Sequence, residues 1–172
     1  MPVSRRGLFA GACNAVLGAA ALSILNSAGA SVAQADGEEA GAVMPPLSSE
    51  TAGRFADLGY DPHQVYATFS SVQAAFRAKD ISKLSEVTSV PLLLKTRDSS
   101  INIQNAQKLD HHKAIIFSDG VRDVVLAQKF ETLFLSSQGI MFGDGEISLQ
   151  AICRNQDCSV AIVRIVTINV IK

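Results

Sequence analysis

The chain has 172 residues, of which 48% are hydrophobic and 18% charged, with a formal net charge of -1; this suffices for one compact core and points to a single domain. Two of its 15 basic side chains, Arg5 and Arg6, fall within the first 35 residues, which hold no acid, so the remaining 137 residues carry 13 bases against 16 acids, a charge of -3. An acidic balance with no basic stripe argues against a nucleic-acid partner and against a polybasic mode of membrane binding.

Residues 1–35 read as a cleavable export signal. Ser4-Arg5-Arg6-Gly7-Leu8-Phe9 matches the twin-arginine pattern of an arginine pair followed by large apolar residues. From Leu8 to Leu22 the one strongly polar side chain is Asn14, and Ala33-Gln34-Ala35 offers the small residues a signal peptidase pocket admits, which predicts cleavage after Ala35. The expected partners during export are the twin-arginine translocon and signal peptidase, with the general secretory route as the alternative, and the expected destination is the periplasm or the exterior. A retained membrane anchor fits less well. The apolar run falls short of the roughly 20 residues that span a bilayer, and Asn26, Ser27 and Gly29 weaken its far end. Cys13 follows small residues as in a lipoprotein signal, but most of the apolar run comes after it, where a lipobox would close the run.

Residues 36–60 are expected to be a flexible leader. The stretch from Asp36 to Thr51 is acidic and small-residue-rich, with Pro45-Pro46 and Ser48-Ser49, and has neither helical nor strand periodicity. Ordered structure is predicted from Asp61-Pro62, an aspartate cap followed by a proline that the first helical turn tolerates. Val65, Phe69, Val72 and Phe76 then form one apolar stripe on a long helix. Asp80 caps a second, short helix with Ile81, Leu84 and Val87, which must end near Val90 because Pro91 follows.

Leu92-Leu93-Leu94 with Lys95-Thr96-Arg97 and the alternating Ile101-Asn102-Ile103 read as strands joined through Asp98-Ser99-Ser100. Asn105 caps a helix using Leu109, His112 or Lys113, and Ile116; Ser118 caps another with Val121, Val124 and Val125. From Phe130 the character turns to β: Leu133 and Leu135, Ile140 to Phe142, Ile147 with Leu149 and Ala151, and Val160 to Ile171. Gly139 and Gly143-Asp144-Gly145 supply the permissive backbone for turns or bulges. The last strand is apolar on both faces and is therefore expected in the middle of the sheet. Helices first and a meander afterwards predict an α+β fold, with the helices on one face of a curved antiparallel sheet.

Phe69 to Phe76, Val90-Pro91-Leu92, the run from Gly139 through Gly143-Asp144-Gly145-Glu146 to Ile147, and the closing Ile168-Asn169 resemble bacterial periplasmic proteins of the nuclear-transport-factor-2-like (cystatin-like) superfamily. The resemblance covers 61–172 and implies a cone whose open end serves catalysis in some members and binding in others. Related chains carry an aromatic residue two positions after the glutamate, where this one has Ser148; that departure removes a bulky contact.

Several constellations bear on chemistry. Cys153 and Cys158 flank a polar four-residue loop between strand-like runs, which predicts a disulfide across a hairpin in an oxidising compartment. Asp110-His111-His112 is the one histidine cluster, but neighbours on a helix diverge by about 100°, which favours a solvated face over a metal site. Asp144 and Glu146 could pair as acid and base if both turned inward, yet their glycine-flanked position favours an exposed turn. With only Tyr60 and Tyr66 as tyrosines, a ketosteroid-isomerase-like site finds little support. No nucleophile elbow, P-loop or dinucleotide fingerprint occurs, so no cofactor or metal is expected.

The leading functional expectation is an exported, non-enzymatic protein that binds a partner protein or a small apolar ligand in or beside the cone. One alternative is an enzyme of the same fold, for which Arg97, Asp110, His112 and Glu146 are the candidate cavity residues. The other is an envelope accessory or inhibitor protein that acts through its surface and would have a shallow or filled cone.

Overall fold

The computed structural model describes residues 43–158 and 160–170. The readings that rest on Arg5, Arg6, Cys13, Ala33 and Ala35 therefore lie outside the described residues.

Ordered structure begins earlier than the sequence reading places it. Ser48 accepts a hydrogen bond from the Thr51 amide at 3.2 Å and caps helix α1, Ser49–Asp57. Phe55 on α1 is 1% exposed and stacks on Phe130 with ring centroids 5.3 Å apart, so this part of the expected leader belongs to the core. One large aromatic per helix is too little to make a periodic stripe, but enough to dock nine residues.

Helix α2, Pro62–Ala78, follows the prediction closely: Asp61 is the cap, Pro62 opens the helix, and Val65, Phe69, Val72 and Phe76 are buried along one side. Its C-terminus is closed by Lys79 in a left-handed conformation, with the Asp80 amide donating back to the Ala75 carbonyl at 2.9 Å. Asp80 then caps α3, Ile81–Glu86, and the strand begins at Thr88, so the helix stops before Val90.

Strands β1 (Thr88–Thr96) and β2 (Ser100–Ile103) form a hairpin. Asn105 caps the next segment as expected, but Ala106–His112 winds as a 3-10 helix before a single α-turn, α4, Lys113–Ile116. Leu109 is the one buried side chain in those seven 3-10 residues, so no stripe holds an α-helix to the core. Helix α5, Asp119–Ala127, buries Val121 and Val125. After a 3-10 turn at Phe130–Thr132, the chain meanders through β3 (Phe134–Ser136), β4 (Gly139–Phe142), β5 (Ile147–Cys153) and β6 (Ala161–Val170).

The six strands lie in the order β2-β1-β6-β5-β4-β3. The sheet is mixed, which corrects the antiparallel expectation: β1 and β6 run parallel, while the other neighbours are antiparallel. The α-helical crossover from β2 to β3 lets the meander return with its last strand beside β1 and pointing the same way. The expected central position of β6 is what the structure shows. Register shifts in β1 and β5 supply bulges that bend the sheet.

Phe142, Ile147, Ile168, Leu94 and Ile101 form a transverse row, and its first four members are buried. Phe142 stacks on Phe69 of α2 at 5.3 Å, which identifies this face as the helix side. On the opposite face runs the row Phe134, Met141, Ser148, Thr167, Leu93 and Asn102. Ser148, the departure noted above, thus lies on the face turned away from α2.

Candidate functional site

The space between α2 and the sheet is occupied by aromatic rings. Phe69 meets Phe142 at 5.3 Å and Phe130 at 5.5 Å, Tyr66 meets Phe130 edge-on at 5.0 Å, and Phe76 meets Phe117 edge-on at 5.0 Å. Aliphatic side chains from both layers complete one continuous core. An interior of this kind offers side-chain packing where a cone would offer a cavity.

The four candidate cavity residues fall in different parts of the fold. Arg97 is exposed just past β1, Asp110 is exposed and His112 half-buried on the 3-10 helix, and Glu146 is buried in the turn between β4 and β5. The exposed-turn expectation for Glu146 is therefore overturned. Its side chain folds back so that Oε2 accepts the Asp144 amide at 2.8 Å, while its carbonyl accepts the Asn169 amide at 2.8 Å. Gly143 makes this possible: it has φ +58°, and a Cβ there would strike both Val124 and the Glu146 carboxylate. The Asn169 side-chain amide completes the turn by donating to the Gly145 carbonyl. Glu146 thus closes a hairpin and ties it to the last strand.

Asp110 does line a cleft. About 630 Å³ in volume, it lies where the end of α2, the 3-10 helix, α4 and the start of α5 come together, and Lys79, Asp110, His111, Lys113, Ser118 and Asp119 surround it. Phe117 and Ala114 give it a small apolar wall. Ser118 occupies the N-cap position of α5, but its hydroxyl takes no capping hydrogen bond, and its buried Oγ has no partner. Sequence reasoning named Ser118 only as a cap and did not single out Lys79 or Lys113. The available signal was Lys79-Asp80: a lysine where a helix end usually takes glycine, directly before a capping aspartate.

A smaller cleft of about 550 Å³ lies at the sheet edge beside Tyr60, Gln138 and Gln150. Burial raises the pKa of Tyr60 above its ordinary value of 10.0, and its hydroxyl donates to the Ser136 carbonyl at 2.9 Å.

Cys153 and Cys158 form a disulfide, with Cα atoms 4.7 Å apart, across the β5–β6 loop. Both are exposed. Among the described residues no three His, Cys, Asp or Glu side chains gather as a metal site, and no helix is long and apolar enough to cross a membrane. Compared with protein families, with curated proteins and with solved structures, the chain matched none.

Proposed function

We propose that this is an exported bacterial envelope protein of the nuclear-transport-factor-2-like kind, which works by binding at its surface. The observation that carries the reading is the filled space between α2 and the sheet: Phe69, Phe130 and Phe142 occupy the place where an interior ligand would sit. Arg97, Asp110, His112 and Glu146 are spread over separate elements, and the one buried carboxylate among them is engaged in closing its own turn. The arginine pair, the Ala33-Gln34-Ala35 site and the disulfide support export. Three helices ahead of the first strand of a six-stranded sheet, with α2 on one face, support the family reading.

Native mass spectrometry of the protein purified from the producing bacterium's envelope tests this. The expected species begins at Asp36 and carries no apolar molecule through purification. A retained lipid-like or other apolar ligand would overturn the surface reading in favour of an interior site, and an intact Met1 would overturn cleavage. Replacing Arg5 and Arg6 with lysine should leave precursor in the cytoplasm.

A further inference from the structure

The two faces of the sheet are finished differently. On the α2 side Leu92, Leu94, Phe142, Ile147, Leu149 and Ile168 are fully buried. On the other side no member of the transverse row is buried: Met141, Ser148, Thr167 and Leu93 are half-buried, Asn102 is exposed, and Phe134 leaves 55% of its surface to solvent. The row holds no charged side chain. Its four inner members read alike from either end by class, with apolar Met141 and Leu93 on either side of the hydroxyl-bearing Ser148 and Thr167. A two-fold interface requires such an order, because the surface must be complementary to itself.

We propose that the chain forms a two-fold dimer in which two copies pack these faces together. With the axis parallel to the strands and between β5 and β6, Ser148 comes opposite the second copy's Thr167 and Met141 opposite its Leu93, hydroxyl against hydroxyl and apolar against apolar. Phe134 at one edge of the sheet then covers Asn102 at the other. The charges beside the row fit the same axis. Gln150 and Arg164 are register partners, so each Arg164 lies over the other copy's Gln150 amide and the two guanidinium groups stay apart. Lys95 is level with Asn169, whose amide meets the Glu146 carbonyl, and so comes over the second copy's turn with its exposed Asp144. The area also suffices. Strands β1 to β6 hold 9, 4, 3, 4, 7 and 10 residues, which at about 3.3 Å per residue and about 4.8 Å between strands make a face of about 600 Å². Two such faces together bury about 1,200 Å², the lower end of the range for specific stable interfaces.

Sedimentation equilibrium of the mature chain, Asp36 to Lys172, at concentrations up to about 200 µM tests this, with a monomer–dimer equilibrium of micromolar Kd expected. Thr167→Lys sets two like charges beside the axis and should weaken association about a hundredfold or more, while the amide spectrum of the monomer stays that of a folded chain. Cross-linking checks the register without relying on a destabilised variant. Met141 and Leu93 are three strand spacings apart within one chain, about 14 Å, but opposite each other across the interface. A short bismaleimide should therefore join a Met141→Cys chain to a Leu93→Cys chain in a mixture and join neither to its own kind. A chain that is monomeric at about 200 µM would overturn the proposal, whether the face is bare or, as shifts in the row on removal of residues 36–42 would reveal, covered by the chain's own start. A dimer that Thr167→Lys leaves intact and that gives no mixed cross-link would also overturn it, since association would then use another surface.

Discussion

The Tyr60 hydroxyl, at the turn between α1 and α2, donates to the Ser136 carbonyl at 2.9 Å and so fastens the N-terminal end of the domain to strand β3. Arg54 acts in the same place, donating to the Leu133 carbonyl at 3.0 Å. β3 is an edge strand of the sheet, and these two side chains hold the carbonyls of Leu133, just before it, and of Ser136, at its end.

Tyr60→Phe should cost about 0.5–1.5 kcal/mol at neutral pH, the net worth of one hydrogen bond. The difference is pH-dependent. Burial raises the Tyr60 pKa, so the unfolded chain ionises first; the contribution is complete below pH 10.0 and is lost as pH climbs through the higher folded value. Urea denaturation of parent and variant at neutral pH and above pH 10.0 should show the gap closing.

Phe76 is fully buried and meets Phe117 edge-on at 5.0 Å. Phe76→Ala should cost about 3–5 kcal/mol through lost burial and the cavity left behind. Against a net stability of commonly about 5–15 kcal/mol, that leaves a marginal domain, read as a lower denaturation midpoint and a reduced yield.

Gly143→Ala should destabilise the domain by about 1–3 kcal/mol, since the new Cβ meets Val124 and Glu146 from a left-handed backbone. Pairing it with Glu146→Ala, which removes the carboxylate, separates the causes: relief in the double variant places the clash at the carboxylate, and simple additivity places the cost at Val124 or in the backbone.

Breaking the Cys153–Cys158 bridge should cost on the order of 2 kcal/mol or less, because so short a loop closes little chain entropy. The loop keeps other ties: the Arg154 amide donates to the Val160 carbonyl at 2.7 Å, and the Val160 amide to Asn155 Oδ1 at 3.0 Å. The double serine variant should therefore give an amide spectrum altered only around the loop, and global changes would contradict this.

Helix α2 was legible because three signals coincide in it, the Asp61 cap, Pro62 and a stripe from Val65 to Phe76. Helix α1 carries no such pattern; its position depends on Phe55 reaching Phe130 from 75 residues away in sequence. Apolar runs and alternation marked the strands, and a run apolar on both faces placed β6 centrally, but neither encodes which neighbour a strand takes or in which direction, so the parallel β1–β6 pair could not be read. Glu146 was misjudged because an acid between glycines ordinarily faces water, and only the left-handed backbone of Gly143 lets it fold inward. The cleft was hidden for a different reason. Lys79 and Ser118 are far apart in sequence, and tertiary packing alone brings them together.

The pairing of β1 with β6 also sets a timetable for folding. These two strands stand side by side in the middle of the sheet, yet one belongs to the first half of the ordered domain and the other ends at Val170. In a chain made from its N-terminus, β1 emerges well before β6 and waits for its partner. Until then Leu92 and Leu94 have the helices but not the strand that completes their side of the core, and the nascent chain is a client for whatever shields apolar segments. Deleting β6, Ala161–Val170, would take out the strand between β1 and β5 and leave Leu92 and Leu94 without that neighbour.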